Sequence, residues 1–194
     1  MLEGKCIKRY YTLPENKYIL WNKKLIHRSR PDYLWKLEEK IVIQRISGGS
    51  HPIVASIDNL RYKTFASVNN LVLKEQFVHL YPVVVALLNS NVLNWYYANN
   101  FSNNSTLTVN ISKTYLEMLP LPVIDSLHEN LIRTSVNEII ALKRDDNTAD
   151  ISELEMKINL LVYHLYNLTY DEVLIIDPQT SITRDNYEKG GDIC

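Results

Sequence analysis

Cysteine is nearly absent from this chain, because Cys6 and Cys194 are the only two among its 194 residues. Two cysteines near opposite ends supply neither a disulfide framework nor the paired spacing of a zinc site. Long apolar runs are also missing, and the longest, 83–88, is far too short to cross a bilayer. The N-terminus lacks the apolar core of a signal peptide. These absences favour a cytoplasmic protein with no membrane partner. The abrupt start beside a predicted strand indicates a piece of something longer.

Histidine offers no metal site, because the five histidines are scattered without ligand spacing. They are His27, His51, His79, His128 and His164. The adjacent Ser50 and His51 also lack an acidic neighbour in the sequence that would complete a nucleophilic triad. The sequence therefore predicts neither a metal site nor a catalytic site.

Charge is divided unevenly along the chain, although the formal net charge is only −1. Residues 1–75 contain 14 Lys and Arg against 7 Asp and Glu, whereas residues 76–194 contain 7 against 15. The excess of positive charge in the first part predicts a polyanionic partner, since each neutralised phosphate releases counterions and adds affinity. Tyrosine and tryptophan are interleaved with these basic residues, which suits nucleic acid and equally suits a small β-rich core.

The segment 40–46 is the most informative part of the sequence. Its β-branched run carries Gln44 and Arg45 and leads into a Gly-Gly turn. Gln and Arg have paired donors and acceptors that suit base edges and phosphates, and glycine allows a backbone to approach a ligand closely. Neighbouring residues of a strand face opposite sides, so we expect Arg45 to be exposed and Gln44, on the more apolar face, to be a buried structural residue. A hairpin with an exposed polar face is the alternative interpretation.

Further strands are predicted where Val, Ile, Tyr and Thr concentrate between Pro, Gly, Asp and Asn. They are 17–21, 53–57, 64–67 and 69–74. Together with 40–46 they predict a small mixed or antiparallel β-sheet.

An amphipathic helix is predicted to begin at 79–81, because Pro82 fits only a first turn and the apolar residues that follow recur at helical spacing. The asparagine-rich stretch 98–106 predicts a loop. After it, 107–111 is interpreted as a strand and Ser112 as the cap of a short helix.

Capping motifs mark three helices in the C-terminal part. Ser126-Leu-His-Glu129, Asp150-Ile-Ser-Glu153 and Thr169-Tyr-Asp-Glu172 each place an oxygen-bearing side chain three residues before a glutamate. The first two helices are predicted to form an antiparallel hairpin, with apolar stripes at 132–140 and 154–165 that are only partly buried within this chain. The predicted fold class is α+β, a small mixed β-sheet with flanking helices followed by a helical hairpin. The predicted domains are 1–122, 123–177 for the hairpin and a tail at 178–194.

Five segments in a fixed order carry a resemblance to a known family. They are Arg30-Pro31, 40–46, 87–97, 115–122 and 154–172. The set resembles the C-terminal TaqI-like specificity domain of type IIG restriction-modification enzymes and adenine-specific N6 DNA methyltransferases, over roughly residues 25–177. In that family the region is a target recognition domain that reads duplex DNA, followed by helices that hold it against the catalytic part. The chain departs from the family at 156–159, Met-Lys-Ile-Asn, where an acidic helix usually ends in Ile-Asp.

The resemblance also defines what this chain lacks. A complete enzyme of the family needs a methyltransferase fold and an Asn-Pro-Pro-Tyr type motif, and Asp177-Pro178 is followed here by Gln179. Clustered carboxylates for a nuclease metal are also missing, since the acidic residues lie mainly in predicted helices and the tail. The resemblance thus implies a non-catalytic DNA recognition domain, 1–122, in a chain without its own cofactor. Its parent enzyme would methylate the N6 of adenine with S-adenosylmethionine, and a linked methyltransferase or nuclease part would be its partner.

Candidate DNA contacts are divided between bases and phosphates. The base candidates are Gln44, Arg45, Ser47, Ser50 and His51, and the phosphate candidates are Arg28, Arg30, Lys36, Arg61 and Lys63. Two other functions stay open at this point. One is a protein-interaction module that uses the acidic helices, and the other is an RNA-binding module that stacks bases on its aromatic residues.

Overall fold

The computed structural model describes residues 1–18, 20, 22, 24–26, 30–101 and 109–189. Within these residues the strands are β1 (Lys40–Gln44), β2 (Ile46–Ser47), β3 (Ala55–Asp58), β4 (Val68–Leu71) and β5 (Val109–Asn110). The helices are α1 (Tyr81–Asn89), α2 (Asn91–Phe101), α3 (Lys113–Leu116), α4 (Ser126–Asp145), α5 (Ser152–Leu165), α6 (Tyr170–Ile176) and α7 (Arg184–Lys189). Short 3₁₀ helices cover Gly4–Cys6, Asp32–Trp35 and Glu75–Leu80. The predicted α+β class is confirmed.

The strands form two small antiparallel sheets. In the first, β1 lies between β3 and β4, and in the second β2 pairs with β5. The parallel pairing expected of a mixed sheet is limited, in the part of the chain that the structure describes, to isolated bridges between Leu2 and Thr64 and between Tyr10 and Ser56. The N-terminal segment therefore adds single parallel contacts to an antiparallel sheet.

Two predicted strands are wrong. The stretch 64–67 holds a single bridge at Thr64 and then a turn, and no strand is assigned to the described residues of 17–21. The turn at Ala66 and Ser67 is held by the Val68 N–H, which donates to the Phe65 carbonyl at 3.1 Å. A chain reversal at this point explains why β-propensity alone misplaces the strand, which begins at Val68 instead.

The central strand β1 is buried on both faces. Ile41 and Ile43 belong to the main hydrophobic core, and Val42 belongs to a second cluster with Leu2 and Ile7. Cover on both sides explains why four consecutive residues of this strand are inaccessible to solvent. The side chains of this central strand that can meet a partner therefore lie at Gln44 and beyond.

The helix predicted from 79–81 onward is broken in two at Ser90. The backbone of Ser90 is extended, and its hydroxyl donates to the Leu87 carbonyl at 2.6 Å. The Asn94 amide donates to the Leu88 and Ser90 carbonyls, so side chains replace the helical N–H donors there. In the described part of the chain, no single helix is long and apolar enough to span a membrane. Glu75–Asn89 and Asn91–Phe101, bent by 59°, meet that length and composition criterion only as a pair.

Asparagines around this break bind the outer edge of β3. The Asn89 side chain accepts from the Ala55 N–H at 3.0 Å and donates to the Ala55 carbonyl at 2.9 Å. The Asn94 side chain accepts from the Ile53 N–H at 2.7 Å. Both asparagines are fully buried, so these bonds satisfy backbone groups that water cannot reach. The asparagines of the 87–97 segment thus hold the sheet to the helices.

Capping chemistry sets the starts of the C-terminal helices, although not always at the predicted residue. The predicted capping box of Thr169 and Glu172 is confirmed at α6. In α4 the cap is Asp125, one residue earlier than predicted, and its carboxylate accepts from two backbone N–H groups. In α5 the predicted capping box is wrong, because the cap residue is Ile151 without a side-chain hydrogen bond, and the preceding Asp150 carboxylate accepts from the backbone and the hydroxyl of Ser152. A carboxylate at a helix start also suits the helix dipole, which explains this choice of acidic caps.

The helical hairpin is buried more fully than predicted. Ile132, Val136 and Ile139 of α4 have no exposed surface, and Leu161 of α5 is only 1% exposed. The expectation that these stripes await an absent domain is wrong, because α1 packs against α4 and α2 packs against α5. One hydrophobic cluster therefore continues from the sheet through the hairpin.

Candidate nucleic-acid interface

A bend at Arg45 separates the two sheets and exposes this side chain. The strand β1 ends at Gln44, and the chain continues as β2 on the other side of the bend. The Arg45 N–H donates to the Ser67 carbonyl at 2.9 Å, and its carbonyl accepts from the Ile111 N–H at 2.8 Å. The backbone is thus held from two directions while the guanidinium projects outward, 3.4 Å from the Ala66 carbonyl.

The prediction that Arg45 is exposed is confirmed, whereas the prediction that Gln44 is buried is met only in part, and one part of the reasoning is wrong. Arg45 is exposed and Gln44 is half-buried. Ile46, expected to face inward with Gln44, is 54% exposed, because the bend interrupts the alternation of the strand.

Gln44 lies on a different surface from Arg45. Its side chain lines a cleft of about 420 Å³ between the N-terminal segment and the helical hairpin. In this cleft Arg9 pairs with Glu155 of α5 at 3.1 Å, and Arg9 also donates to the Asn89 carbonyl at 3.0 Å. The structure therefore does not bring Gln44 and Arg45 together, and the cleft around Gln44 joins the sheet region to the helices.

The loop that follows β2 is held at its base and exposed at its tip. The Ser47 hydroxyl donates to the Pro52 carbonyl and closes the loop. Gly49 has a φ of +79° and no atom within 4 Å of where a side chain would start, so backbone conformation rather than space calls for glycine here. Ser50 is exposed. Among the base candidates, the Ser47 hydroxyl is therefore used to close the loop, whereas the Ser50 side chain is exposed to a possible partner.

His51 is tied to the start of α2. Its Nδ1 lies 3.0 Å from the Ser50 hydroxyl, and its Nε2 lies 2.8 Å from the Asn91 side-chain oxygen. The ring is half-buried, and both of its nitrogens already have hydrogen-bond partners. His51 is therefore placed to position Ser50 and offers little of its own polar surface to a ligand. No sequence signal pointed to Asn91, which is 40 residues away along the chain.

Arg30 lies close to the bend as well. Its guanidinium donates to the Val68 carbonyl at 3.1 Å, two residues from the carbonyl that Arg45 approaches. A guanidinium has five N–H donors, so each arginine keeps donors for a phosphate or a base. The exposed surface around them contains side chains that were not predicted as site residues, namely Ile46, Phe65 and Asn110. Asn110 is directly opposite Ile46 in the second sheet.

The remaining phosphate candidates lie elsewhere. Lys36 precedes β1, and Arg61 follows β3 near the opposite end of the sheet, where Lys40 is aligned with Asp58. Lys36 is exposed, and Arg61 pairs with Glu38 at 3.8 Å. Lys63 is half-buried, and Arg28 lies outside the described residues. The candidates are therefore spread over both ends of β1 rather than gathered at one.

Several cations of the first 75 residues are engaged in ion pairs. Lys5 and Lys17 each lie 2.6 Å from the Glu15 carboxylate. Hydrogen bonds from Lys17 and then Lys5 lower the pKa of Glu15 to about 2. Lys40 is fully buried against Asp58. The charge count from the sequence therefore overstates the positive charge that can meet a polyanion.

Aromatic residues are largely used for packing. Five tyrosines are almost completely buried, namely Tyr10, Tyr81, Tyr97, Tyr163 and Tyr187. No group of three or more potential metal ligands occurs in residues 1–18, 20, 22, 24–26, 30–101 and 109–189. The exposed surface at the bend thus offers cationic and polar groups together with the apolar side chains of Ile46 and Phe65.

Comparison with known proteins matches most of this chain to one family. A family model described as TaqI-like C-terminal specificity domain matches residues 1–121. The match includes both sheets, the bend at Arg45, the loop at 47–52 and the asparagines at the break between α1 and α2. Comparison with curated proteins gave no match.

Proposed function

This chain belongs to the family of TaqI-like C-terminal specificity domains, and from that membership we propose that it selects the DNA sequence on which a linked adenine-N6 methyltransferase acts. The family indicates DNA sequence recognition in restriction-modification enzymes, and a specificity domain is not itself catalytic. Beyond this, we propose that the parent enzyme is of type IIG and methylates adenine. S-adenosylmethionine would be held by the catalytic part, in the cytoplasm, and not by this chain.

The proposal is carried by the family match, which includes the bend after β1 where the Arg45 side chain is exposed. Arginine donates two parallel hydrogen bonds to guanine O6 and N7 in the major groove, which makes it the commonest specific base contact. A rigid backbone on both sides of Arg45 restricts the positions its guanidinium can reach. We assign Arg45 and Ser50 to base contacts, and Arg30, Lys36, Arg61 and Lys63 to phosphates.

A binding experiment with the full chain tests this assignment. Preferred sites are first selected from random duplexes, and affinities are then measured by fluorescence anisotropy at several salt concentrations. Arg45→Ala should cost about 1–3 kcal/mol and relax the preference at a single base pair. Lys36→Ala should weaken binding to all sequences alike and reduce the salt slope by about one.

Lys157→Ala is the matched control, because it removes an exposed lysine of α5 that is not a site candidate. Its affinities should equal those of the wild type. Equal losses of Arg45→Ala on every sequence would make Arg45 a phosphate contact. Tighter binding of single-stranded RNA would favour the RNA-binding function, and no binding to any nucleic acid would favour the protein-interaction function.

A further inference from the structure

We propose that Ser50 presents only hydrogen-bond acceptors to DNA and therefore reads a base with an exocyclic amino group in the major groove, adenine N6 or cytosine N4. The inference rests on the proposed function, because it assigns a base chemistry to one residue of that surface. Its basis is a relay of hydrogen bonds that runs from Asp177 through Asn91 and His51 to Ser50. The direction of each bond in this relay is set by the bond before it.

The relay starts at the Asp177 carboxylate, which can only accept. The Asn91 side-chain nitrogen donates to Asp177 at 2.9 Å and to the Tyr163 hydroxyl at 3.1 Å. The Tyr163 hydroxyl in turn donates to the same carboxylate oxygen at 3.3 Å. Burial raises the pKa of Tyr163 far above its usual value, so this hydroxyl keeps its proton. A flipped Asn91 amide would turn its oxygen toward the carboxylate, and the amide orientation is therefore fixed.

The backbone of Asn91 is also held. Its N–H donates to the Asn159 side-chain oxygen at 2.9 Å, at the start of α2. Asn159 is the last residue of the segment that departs from the family pattern, and it is 9% exposed. The first residue of α2 is thus bound through both its main chain and its side chain by groups that lie beyond the family match at 1–121.

The orientation of the Asn91 amide determines which nitrogen of His51 carries the hydrogen. The Asn91 side-chain oxygen can only accept, so the His51 Nε2 at 2.8 Å carries the hydrogen. In a neutral imidazole the other nitrogen, Nδ1, then has a lone pair and no hydrogen. Because Nδ1 lies 3.0 Å from the Ser50 hydroxyl, Ser50 donates its single proton to His51.

Ser50 is left with lone pairs on its exposed side. In the major groove adenine N6 and cytosine N4 are donors, whereas thymine O4 and guanine O6 are acceptors. An acceptor that faces another acceptor gains no hydrogen bond and is repelled. A discrimination of about 5- to 100-fold in favour of the amino group is expected for one base contact of this kind.

A measurement without DNA tests the relay by itself. Long-range ¹⁵N–¹H correlation on the labelled full chain, at about pH 8 where an ordinary imidazole is neutral, identifies the tautomer of each histidine. His51→Gln removes and so assigns the His51 signals. The Nε2–H tautomer is expected for His51, and Asp177→Asn should yield a mixture, because an amide can both donate and accept. An Nδ1–H tautomer or a doubly protonated ring in the wild type would overturn the relay.

A binding experiment tests the base chemistry. Among sites selected from random duplexes, the position at which Ser50→Ala relaxes the preference should carry adenine or cytosine. Ser50→Thr retains the hydroxyl and should retain the preference. If the base is adenine, its replacement by purine, which lacks the amino group, should weaken the wild type and leave Ser50→Ala unchanged. For cytosine, the analogue without the 4-amino group serves the same purpose.

Two tyrosines of the helical region supply a matched pair of variants. Tyr163→Phe removes a hydroxyl from the relay, whereas Tyr166→Phe removes one that donates to the Pro120 carbonyl at 2.6 Å, outside it. Tyr163→Phe should reduce the discrimination roughly 2- to 10-fold, the worth of one ordinary hydrogen bond, and Tyr166→Phe should not change it. Equal losses of discrimination in the two variants would overturn the relay.

The outcomes separate this inference from the proposed function. Specific binding with thymine or guanine at the position sensitive to Ser50 would overturn the inference and leave DNA recognition standing. Absence of any sequence-specific duplex binding would overturn both, and the His51 tautomer would still decide whether the relay exists.

Discussion

Replacing Lys40 by methionine should severely destabilise the fold. Lys40 and Asp58 form an ion pair at the start of the central strand, and neither side chain has exposed surface. Removing one partner of a buried pair leaves the other charge uncompensated and typically costs about 3–5 kcal/mol. Because the whole free energy of unfolding of a domain is about 5–15 kcal/mol, Lys40→Met should remove a large fraction of it.

The structure also predicts that the losses of unfolding free energy caused by the two single substitutions at this ion pair are not additive. The second carboxylate oxygen of Asp58 accepts from the backbone N–H groups of Leu60 and Tyr62, at 3.0 and 3.3 Å. Asp58→Asn keeps an oxygen for these bonds while it removes the charge. The double variant should therefore be more stable than the sum of the two single losses implies, by about 0.5–3 kcal/mol.

Urea unfolding followed by circular dichroism measures these free energies. Tryptophan fluorescence is unsuitable, since Lys40 lies 5.8 Å from the Trp35 ring and its loss alters that probe directly. If Lys40→Met fails to fold, recovery of a folded double variant still demonstrates the coupling. Losses below about 1 kcal/mol, the range of an exposed ion pair, or strictly additive losses would refute the reasoning.

Other substitutions test separate features. Asn89→Ala should destabilise the chain by about 1–3 kcal/mol, because the Ala55 N–H loses its partner away from water, and chemical denaturation that shows no loss would contradict the role of Asn89 in holding β3. Leu161→Asp should unfold or aggregate the chain, since a lone buried charge costs several kcal/mol, and an unchanged melting temperature would show that this side chain is not buried. Hydrogen bonds from Thr169 lower the pKa of Glu172. The stability that the ionised Glu172 carboxylate contributes is therefore present above the usual glutamate pKa, and it is lost as the pH falls through the lowered pKa. Melting of Glu172→Gln should accordingly differ from the wild type more at neutral pH than at low pH, and a constant difference would argue against the capping box.

Local patterns predicted the parts of the fold that depend on neighbouring residues. The β-branched run at 40–46 identified β1, and the spacing of Thr169 and Glu172 identified the capping box, because both signals act within a few residues. These features needed no knowledge of the rest of the chain.

Features that depend on distant partners were not predictable in the same way. Asn89 binds Ala55 and Asn94 binds Ile53 across 34 and 41 residues, and the apolar period of the predicted helix does not mark these contacts. Asn91 meets His51 across 40 residues, and no periodicity marks such a pair. Lys40 was counted among the cations available to DNA because a sequence does not reveal that Asp58 faces it. The candidate site was therefore predicted as a set of residue types, whereas its arrangement required the tertiary fold.

The amides that line β3 have a consequence for assembly. An outer strand normally offers a row of free N–H and C=O groups on which a foreign peptide can add as a further strand. Here the side chains of Asn89 and Asn94 occupy those groups at Ile53 and Ala55. Strand addition at this edge would first have to displace buried amides, so polymerisation through this edge of the sheet is opposed.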